Sequence, residues 1–426
     1  MDSRSCCPLR LSSIYVRLSV SHFLQPIPRM IPRRTTLRPT DPTIPLLVHG
    51  QGVFLFTVPH TESSCSFRVL NIDDTQGLLV HWTPTSVHIT NIQTNEPLLD
   101  PKNTKGLSTH KGAFYWLSLD AQNQRIQAGV GEARIETVIY TYQFPTALHA
   151  SNKAFLESFH HITCCSATLQ PQSLLRDPIT SRTPLQVRCS HELTMEDVAT
   201  GAYLPKAHLS VVAQTLYDCV GWKAFRLDDL SFPNFSKAIE RSIATPGLWC
   251  YEKLKAKAGE FGKPNPLETY LRITLNENNG ESPGIPYVME IWPVGHFSPI
   301  HSHSAANAVI RVLHGSIHVK LFPHLCDEGV APFAETDFHK GQITWISPTL
   351  NQTHQLKNLE TNKHTCITIQ CYMYDAADTA HYDYFDYIDA DGNKQQYEPD
   401  SDMGFMAFKQ LMKDEWAARP RTWWCC

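Results

Sequence analysis

The most informative stretch of the chain is Gly295-His296-Phe297-Ser298-Pro299-Ile300-His301-Ser302-His303. Alternate residues of a β-strand point to the same side, so His301 and His303 would present two imidazoles to one face. A strand-like run over residues 308–313 follows, and His314-Gly315 then marks a tight turn. The segment therefore predicts a β-hairpin region that carries two ligands of a metal site. A lone His-x-His is also compatible with two ordinary polar strand residues.

A third imidazole is available at His354, where Gly341 and Pro348 mark the turn before a returning strand. Three neutral imidazoles on one face would leave the opposite coordination positions open for a substrate and oxygen. Imidazole donors suit iron, zinc, copper and nickel alike, so the ligand types alone do not select the metal.

The joint pattern resembles the paired motifs of the cupin superfamily. It consists of Gly295 followed by the His301/His303 pair, a Gly-ended hairpin, and a Gly…Pro…His354-x3-Asn358 segment. Residues 304–308 read Ser-Ala-Ala-Asn-Ala, so the Glu that many cupins carry after the histidine pair is missing. A three-histidine site without Glu is similar to the cysteine dioxygenase (thiol dioxygenase) family, and the resemblance covers about residues 205–400.

The resemblance also implies roles for residues outside the histidine set. Tyr270-Leu271-Arg272 is similar to the family's Tyr-x-Arg segment, which implies that Arg272 binds the substrate carboxylate and that Tyr270 supports it. Thr368-Ile369-Gln370-Cys371-Tyr372 is similar to the family's Ser-x-His-x-Tyr segment, which makes Tyr372 the catalytic tyrosine and puts Gln370 at the substrate.

By this resemblance the expected activity is oxidation of L-cysteine to cysteine sulfinate by O2, with Fe(II) bound by His301, His303 and His354. The sequence departs from the family's pattern at two positions. Ala308 occupies the position of the cysteine that cross-links to the tyrosine in animal members, so no thioether is expected, and Gln370 replaces a histidine. Because of Gln370, another small thiol such as 3-mercaptopropionate remains an alternative substrate. A non-catalytic metal-binding cupin is the other alternative.

The N-terminal part of the chain has a different sequence pattern. Between residues 41 and 145, runs rich in β-branched and aromatic residues recur between turn signals, for example at 52–56, 78–82 and 136–142. This spacing predicts a separate antiparallel β-sandwich domain, without a catalytic constellation and with no indication of its ligand. We expect a linker over residues 146–203. A domain over 204–426 follows, with helices at 235–243 and 248–258 before its barrel, so the chain is expected to be mainly β.

Composition limits the partners. The chain has 426 residues with 37 Lys+Arg against 41 Asp+Glu, which favours a small-molecule ligand over nucleic acid. The sequence contains no run of about 18 apolar residues, so it predicts no membrane-spanning helix. Thirteen cysteines, an odd number with no Cys-x-x-Cys, favour reduced thiols and a cytoplasmic protein. Residues 1–40 are basic and predict a disordered tail or a mitochondrial transit segment, unless translation starts at Met30.

Overall fold

The computed structural model describes residues 32–38, 43–222, 224–275, 286–325, 330–374 and 385–420. These residues form many short strands and six α-helices, so the prediction of a mainly β protein is confirmed. None of the described helices combines the length and the apolar character needed to cross a bilayer. The eight cysteines that the described residues include are all free thiols.

The N-terminal sandwich is formed by two six-stranded antiparallel sheets, ordered β1-β12-β3-β8-β9-β10 and β2-β11-β4-β5-β6-β7. Its elements are β1 (Arg34–Thr36), β2 (Thr43–Pro45), β3 (Gln51–Thr57), β4 (Cys65–Asn71), β5 (Gly77–Trp82), β6 (Val87–Asn91), β7 (Pro97–Leu98), β8 (Phe114–Asp120), β9 (Arg125–Val130), β10 (Val138–Gln143), α1 (His149–Glu157), β11 (Phe159–Cys164) and β12 (Gln170–Leu175). Aromatic side chains fill the space between the sheets: Phe54, Phe56, Phe67, Trp82 and Tyr115 are all buried.

The sandwich extends further along the chain than the sequence predicts. Where we predict a linker over residues 146–203, β11 pairs with β4 and β12 pairs with β3, so the sandwich continues to Leu175. Pro171 misleads the prediction, because a proline argues against a strand. It is tolerated here since the register with β3 shifts between Pro171 and Ser173, at an irregularity of the ladder. Within the predicted tail, Arg34–Thr36 form β1, whereas residues 1–31 and 39–40 lie outside the described residues.

Short strands and helices connect the two β regions. They are β13 (Val187–Arg188), α2 (Met195–Thr200), β14 (Leu204–Pro205), α3 (Val211–Val220), α4 (Phe235–Ala244) and α5 (Trp249–Ala256). Helix α4 buries Phe235, Ala238, Ile239 and Ser242, which recur at three- and four-residue intervals and so form one face. Both helices predicted from this periodicity are present, and their ends differ from the prediction by at most two residues.

The C-terminal barrel consists of two further six-stranded sheets, ordered β21-β18-β23-β16-β15-β26 and β20-β19-β22-β17-β24-β25. Its elements are β15 (Leu271–Thr274), β16 (Tyr287–Trp292), β17 (His301–Ser302), β18 (Asn307–His314), β19 (Ser316–Leu321), β20 (Ala334–His339), β21 (Ile343–Ile346), β22 (Thr353–Lys357), β23 (Cys366–Met373), β24 (Phe385–Ile388), β25 (Lys394–Tyr397), β26 (Met403–Gly404) and α6 (Phe405–Ala417). Helix α6 packs with α4 against the outside of the first sheet.

A buried polar contact joins the sandwich to the barrel next to β22. Arg134 donates from Nη1 to Asn351 Oδ1 at 2.8 Å, and Glu132 Oε1 accepts from the Gln352 backbone N–H at 2.8 Å. Arg134 and Glu132 are each only 2% exposed and form an ion pair at 3.3 Å. Since His354 lies three residues after Asn351, the sandwich contacts the segment that carries one of the predicted metal ligands.

Candidate metal centre

The three histidines predicted as ligands lie together inside the barrel. His301 in β17 is the register partner of His354 in β22, so the pairing of these two short strands sets the rings side by side. His303 follows β17, and its ring centroid lies 4.9 Å from that of His301 and 4.8 Å from that of His354. One ring nitrogen from each of the three lies within 4.8 Å of the others. This convergence is what a single metal ion requires.

Hydrogen bonds orient two of the three rings. His301 Nδ1 lies 3.0 Å from the Pro299 carbonyl and His354 Nδ1 lies 3.3 Å from the Asn351 carbonyl, and since a carbonyl only accepts, both nitrogens donate. Each ring then keeps a lone pair on Nε2, the tautomer expected of a metal-ligating histidine whose other nitrogen is hydrogen-bonded to protein. The Nε2 atoms of His303 and His354 lie 3.1 Å apart, and the buried Nδ1 of His303 has no hydrogen-bond partner in the described part of the chain.

The three imidazoles are uncharged near neutral pH. Burial lowers the pKa of His301 to about 4, and it holds the pKa values of His303 and His354 well below their usual range. The neighbouring histidines act in the same direction on His303 and His354 because protonated rings would repel each other. Metal coordination needs the neutral form of histidine, so the site does not have to release protons before it binds an ion.

The histidines face a partly open cavity of about 70 Å³. Most of its wall is apolar or aromatic, including Trp292, Phe338 and Phe385. Among the described residues that line it, Glu290 is the one acidic residue and there is no Lys or Arg. A cavity of this kind suits a small ligand held mainly by the metal and by a few polar groups.

Arg272 is paired within the protein. It lies directly opposite Glu290 in the β15–β16 register, and its Nη1 donates to Glu290 Oε1 at 2.9 Å. Both residues are buried, with Arg272 7% and Glu290 5% exposed. Burial raises the pKa of the Glu290 carboxyl, and the Arg272 guanidinium opposes that rise. The carboxylate clamp that the sequence predicts thus already contacts a carboxylate that the protein supplies.

Tyr372 and Gln370 are on the cavity-facing side of β23, together with Thr368. The Tyr372 ring lies 5.9 Å from the His303 ring between centroids, and the Arg272 guanidinium carbon lies 5.8 Å from the Tyr372 ring centroid. Burial raises the pKa of Tyr372, so its hydroxyl keeps its proton and can act as a donor at neutral pH.

Ala308 is the direct cross-strand neighbour of Tyr372. Opposite residues of an antiparallel pair project to the same face of the sheet. A methyl group stands where a cysteine would be needed for a thioether, so the two side chains only pack against each other.

Tyr270 also lines the cavity, but its contacts are those of a packed aromatic. Its ring stacks on Trp292 with centroids 4.2 Å apart, and the Lys257 ammonium lies 5.4 Å from its centroid. Lys257 is in turn paired with Asp402 at 3.1 Å.

Glu290 and Asn351 are among the polar residues of the site that the sequence did not predict. Glu290 sits in the run Tyr-Val-Met-Glu-Ile-Trp, and a lone acid in an otherwise apolar strand was a signal for it. Asn351, which receives the Arg134 hydrogen bond, carried no comparable signal.

Comparisons with known proteins give only partial matches. No family model matches the chain. Solved structures that match include the cupin domain of Schizosaccharomyces pombe Cnp3, with 14% identity over 25% of this chain and 65% of that chain and a TM-score of 0.20. The DMSP lyase DddQ of Ruegeria pomeroyi DSS-3 matches with 15% identity over 26% of this chain and 49% of that chain, TM-score 0.20. The polyketide cyclase RemF of Streptomyces resistomycificus matches with 16% identity over 24% of this chain and 63% of that chain, TM-score 0.19. At these coverages and scores the likenesses assign no activity to this chain.

Proposed function

We propose that this protein is a mononuclear iron(II) dioxygenase of small thiols, with L-cysteine as the leading substrate and its sulfinate as the product. The observation that carries the proposal is the set of three uncharged imidazoles, two buried and one partly buried, without a carboxylate among them, in the wall of a small and mainly apolar cavity. The choice of iron and of thiol oxidation rests on the resemblance to the cysteine dioxygenase family.

The donor set fits an iron(II) ion because His301 and His354 are oriented with the Nε2 lone pair available, and because all three imidazoles, His303 included, are uncharged near neutral pH. An iron(II) ion bound there would supply redox chemistry and a shared contact for the thiol sulfur and dioxygen. The apolar wall excludes bulk water and so strengthens every polar contact that the protein makes with a bound thiol.

Tyr372 has the position of a hydrogen-bond donor to the reacting groups. Its ring lies beside His303, and its hydroxyl is kept protonated by burial. The Arg272 guanidinium carbon lies 5.8 Å from the Tyr372 ring centroid, so a fixed positive charge is close to the phenol while the hydroxyl keeps its proton for the ligand. Tyr372 would thus orient the bound thiol and stabilise developing negative charge.

The Arg272–Glu290 pair favours a second candidate substrate class, an aminothiol that has no carboxylate. Glu290 is in the cavity wall, whereas Arg272 is not among the lining residues, so the charge offered to a ligand is negative. A thiol with a carboxylate but no amine, such as 3-mercaptopropionate, would face Glu290 with no Lys or Arg among the described residues that line the cavity.

Oxygen uptake by the iron-reconstituted full-length protein tests the activity, with L-cysteine, 3-mercaptopropionate and cysteamine as substrates. Thiol-dependent uptake with one sulfinate formed per O2 supports the proposal. Stoichiometric iron binding without uptake on any of the three thiols would favour the non-catalytic alternative.

The variant Glu290→Gln separates the two substrate classes, since it keeps the side-chain shape and removes the charge. If Glu290 binds a substrate amine, KM for cysteamine should rise by about 10- to 100-fold, the equivalent of a charged hydrogen bond of roughly 1.5–3 kcal/mol. If Arg272 is the true carboxylate clamp, releasing it from Glu290 should instead lower KM for 3-mercaptopropionate and L-cysteine. Unchanged KM for all three thiols would show that the pair is only structural.

A further inference from the structure

A second cluster of metal-ligating side chains lies outside the barrel cavity. It consists of Glu240 in α4, His314 at the end of β18, and His364 in the loop between β22 and β23. One ligand atom from each lies within 4.8 Å of the other two. None of these three residues lines the cavity, so the cluster is distinct from the site of His301, His303 and His354.

The donor atoms already have spacings close to those of a coordination sphere. Glu240 Oε1 lies 3.1 Å from His314 Nε2 and 3.1 Å from His364 Nδ1. In a tetrahedral site with metal–ligand bonds of about 2.0–2.1 Å, neighbouring donors are roughly 3.3–3.4 Å apart. An ion could therefore replace the two N–H hydrogens with little change in the two Glu240 contacts, while the two imidazole nitrogens, which lie within 4.8 Å of each other, close around it.

The backbone holds two of the ligands in place. His314 pairs with Ile367 across the β18–β23 ladder at a register irregularity, and Gly315 with a φ of +67° turns the chain directly after it. The His364 carbonyl accepts from Asn358 Nδ2 at 3.0 Å, which fixes the loop at that residue. Because three elements distant in sequence supply one donor each, a bound ion would connect α4 to the barrel.

We propose that Glu240, His314 and His364 form a second site, which binds a divalent transition metal ion of the zinc type. Two imidazoles and one carboxylate are a donor set that Zn²⁺ accepts, with water in the remaining position. The exposure of the side chains, 59% for His364 and 29% for Glu240, leaves that position open to solvent. The site stabilises the packing of α4 on the barrel and is independent of the proposed oxidation chemistry.

Zinc stoichiometry of the full-length protein tests this assignment. After removal of metals by a chelator, we expect the wild-type protein to bind about two zinc ions per chain, and His354→Ala and His364→Ala to bind about one each. The double variant should bind none tightly. His364 is a loop residue that is mostly exposed, so its replacement does not threaten folding.

His318→Ala is the matched control, because His318 lies at 2.8 Å from Asp337 and 3.3 Å from Glu335 but offers only one imidazole. It should bind as much zinc as the wild-type protein. In the His354→Ala background zinc should also raise the melting temperature, and this rise should disappear when His364→Ala is added. Equal stoichiometry and equal zinc affinity with and without His364→Ala would overturn the second site, whatever the activity of the first.

Discussion

The N-terminal sandwich and the C-terminal barrel are both built from two six-stranded sheets, but the barrel is hollow between its sheets. In the sandwich, Phe56 contacts Phe54, Phe67, Trp82 and Tyr115 with ring centroids 5.3–5.7 Å apart, so the aromatic side chains fill the interior. In the barrel, three histidines and Glu290 lie among the apolar and aromatic side chains of the wall, and a cavity remains between the sheets. The residues at the inward strand positions therefore decide whether the space between the two sheets is a filled core or a cavity that can hold a ligand.

The largest expected effect concerns the ligands in the hollow region. His301→Ala, His303→Ala or His354→Ala should each remove most bound iron and nearly all activity, since a site with three protein ligands cannot lose one and keep its geometry. The loss should exceed the 10- to 100-fold typical of changes in residues behind the ligands. Iron content and oxygen uptake measure it, with His318→Ala as the control; full iron retention in one variant would remove that residue from the ligand set.

Phenylalanines that are equally buried in the two regions test the difference in packing. Phe56→Ala in the sandwich should lower the free energy of unfolding by about 3–5 kcal/mol, because it leaves a cavity in a filled core. Phe338, which is 1% exposed against 0% for Phe56, lines the barrel cavity and already lacks neighbours on one side. We expect Phe338→Ala to cost less in chemical denaturation, since fewer contacts are lost. Equal costs would mean that the barrel is as tightly packed as the sandwich.

The contact between the two regions has its own energetic signature. Arg134→Ala leaves the buried Glu132 without its cation and should lower the free energy of unfolding by about 3 kcal/mol. It also removes the hydrogen bond to the Asn351 side chain. Because the backbone carbonyl of Asn351 accepts a hydrogen bond from His354, we expect weaker metal binding as well. Arg176→Ala is the control, because Arg176 pairs with Asp177 at the surface and should change little. Unchanged stability and metal affinity in Arg134→Ala would show that the sandwich does not support the site.

The parts of this structure that follow from local pattern were predictable, and those that depend on strand register were not. The spacing of two residues between His301 and His303 and the apolar periodicity of α4 are local features, so both could be predicted from the sequence. The opposition of Arg272 and Glu290 depends on the register of β15 against β16, which no local pattern determines.

The same limit explains the other omissions. Glu240, His314 and His364 come from three separate elements, so only the folded chain brings them together. Pro171 led the prediction to a linker because the ladder irregularity that accommodates it cannot be seen in a single strand.

The smallest expected effect concerns Tyr372, which touches the cavity of the hollow region without being a ligand. Because Ala308 is its cross-strand neighbour, Tyr372 should appear in peptide mass analysis as an unmodified tyrosine.

Tyr372→Phe removes only the hydroxyl, so iron content should stay the same while oxygenation slows by about tenfold, roughly 1.4 kcal/mol in the barrier. The rate of sulfinate formation at saturating thiol measures this, and Tyr142→Phe in the sandwich is the control because that phenol is far from the barrel cavity in sequence and lines no part of it. A Tyr372→Phe protein with wild-type rate would leave the phenol with a packing role alone, and a Tyr372 peptide joined covalently to any cysteine would contradict the pairing of Ala308 with Tyr372.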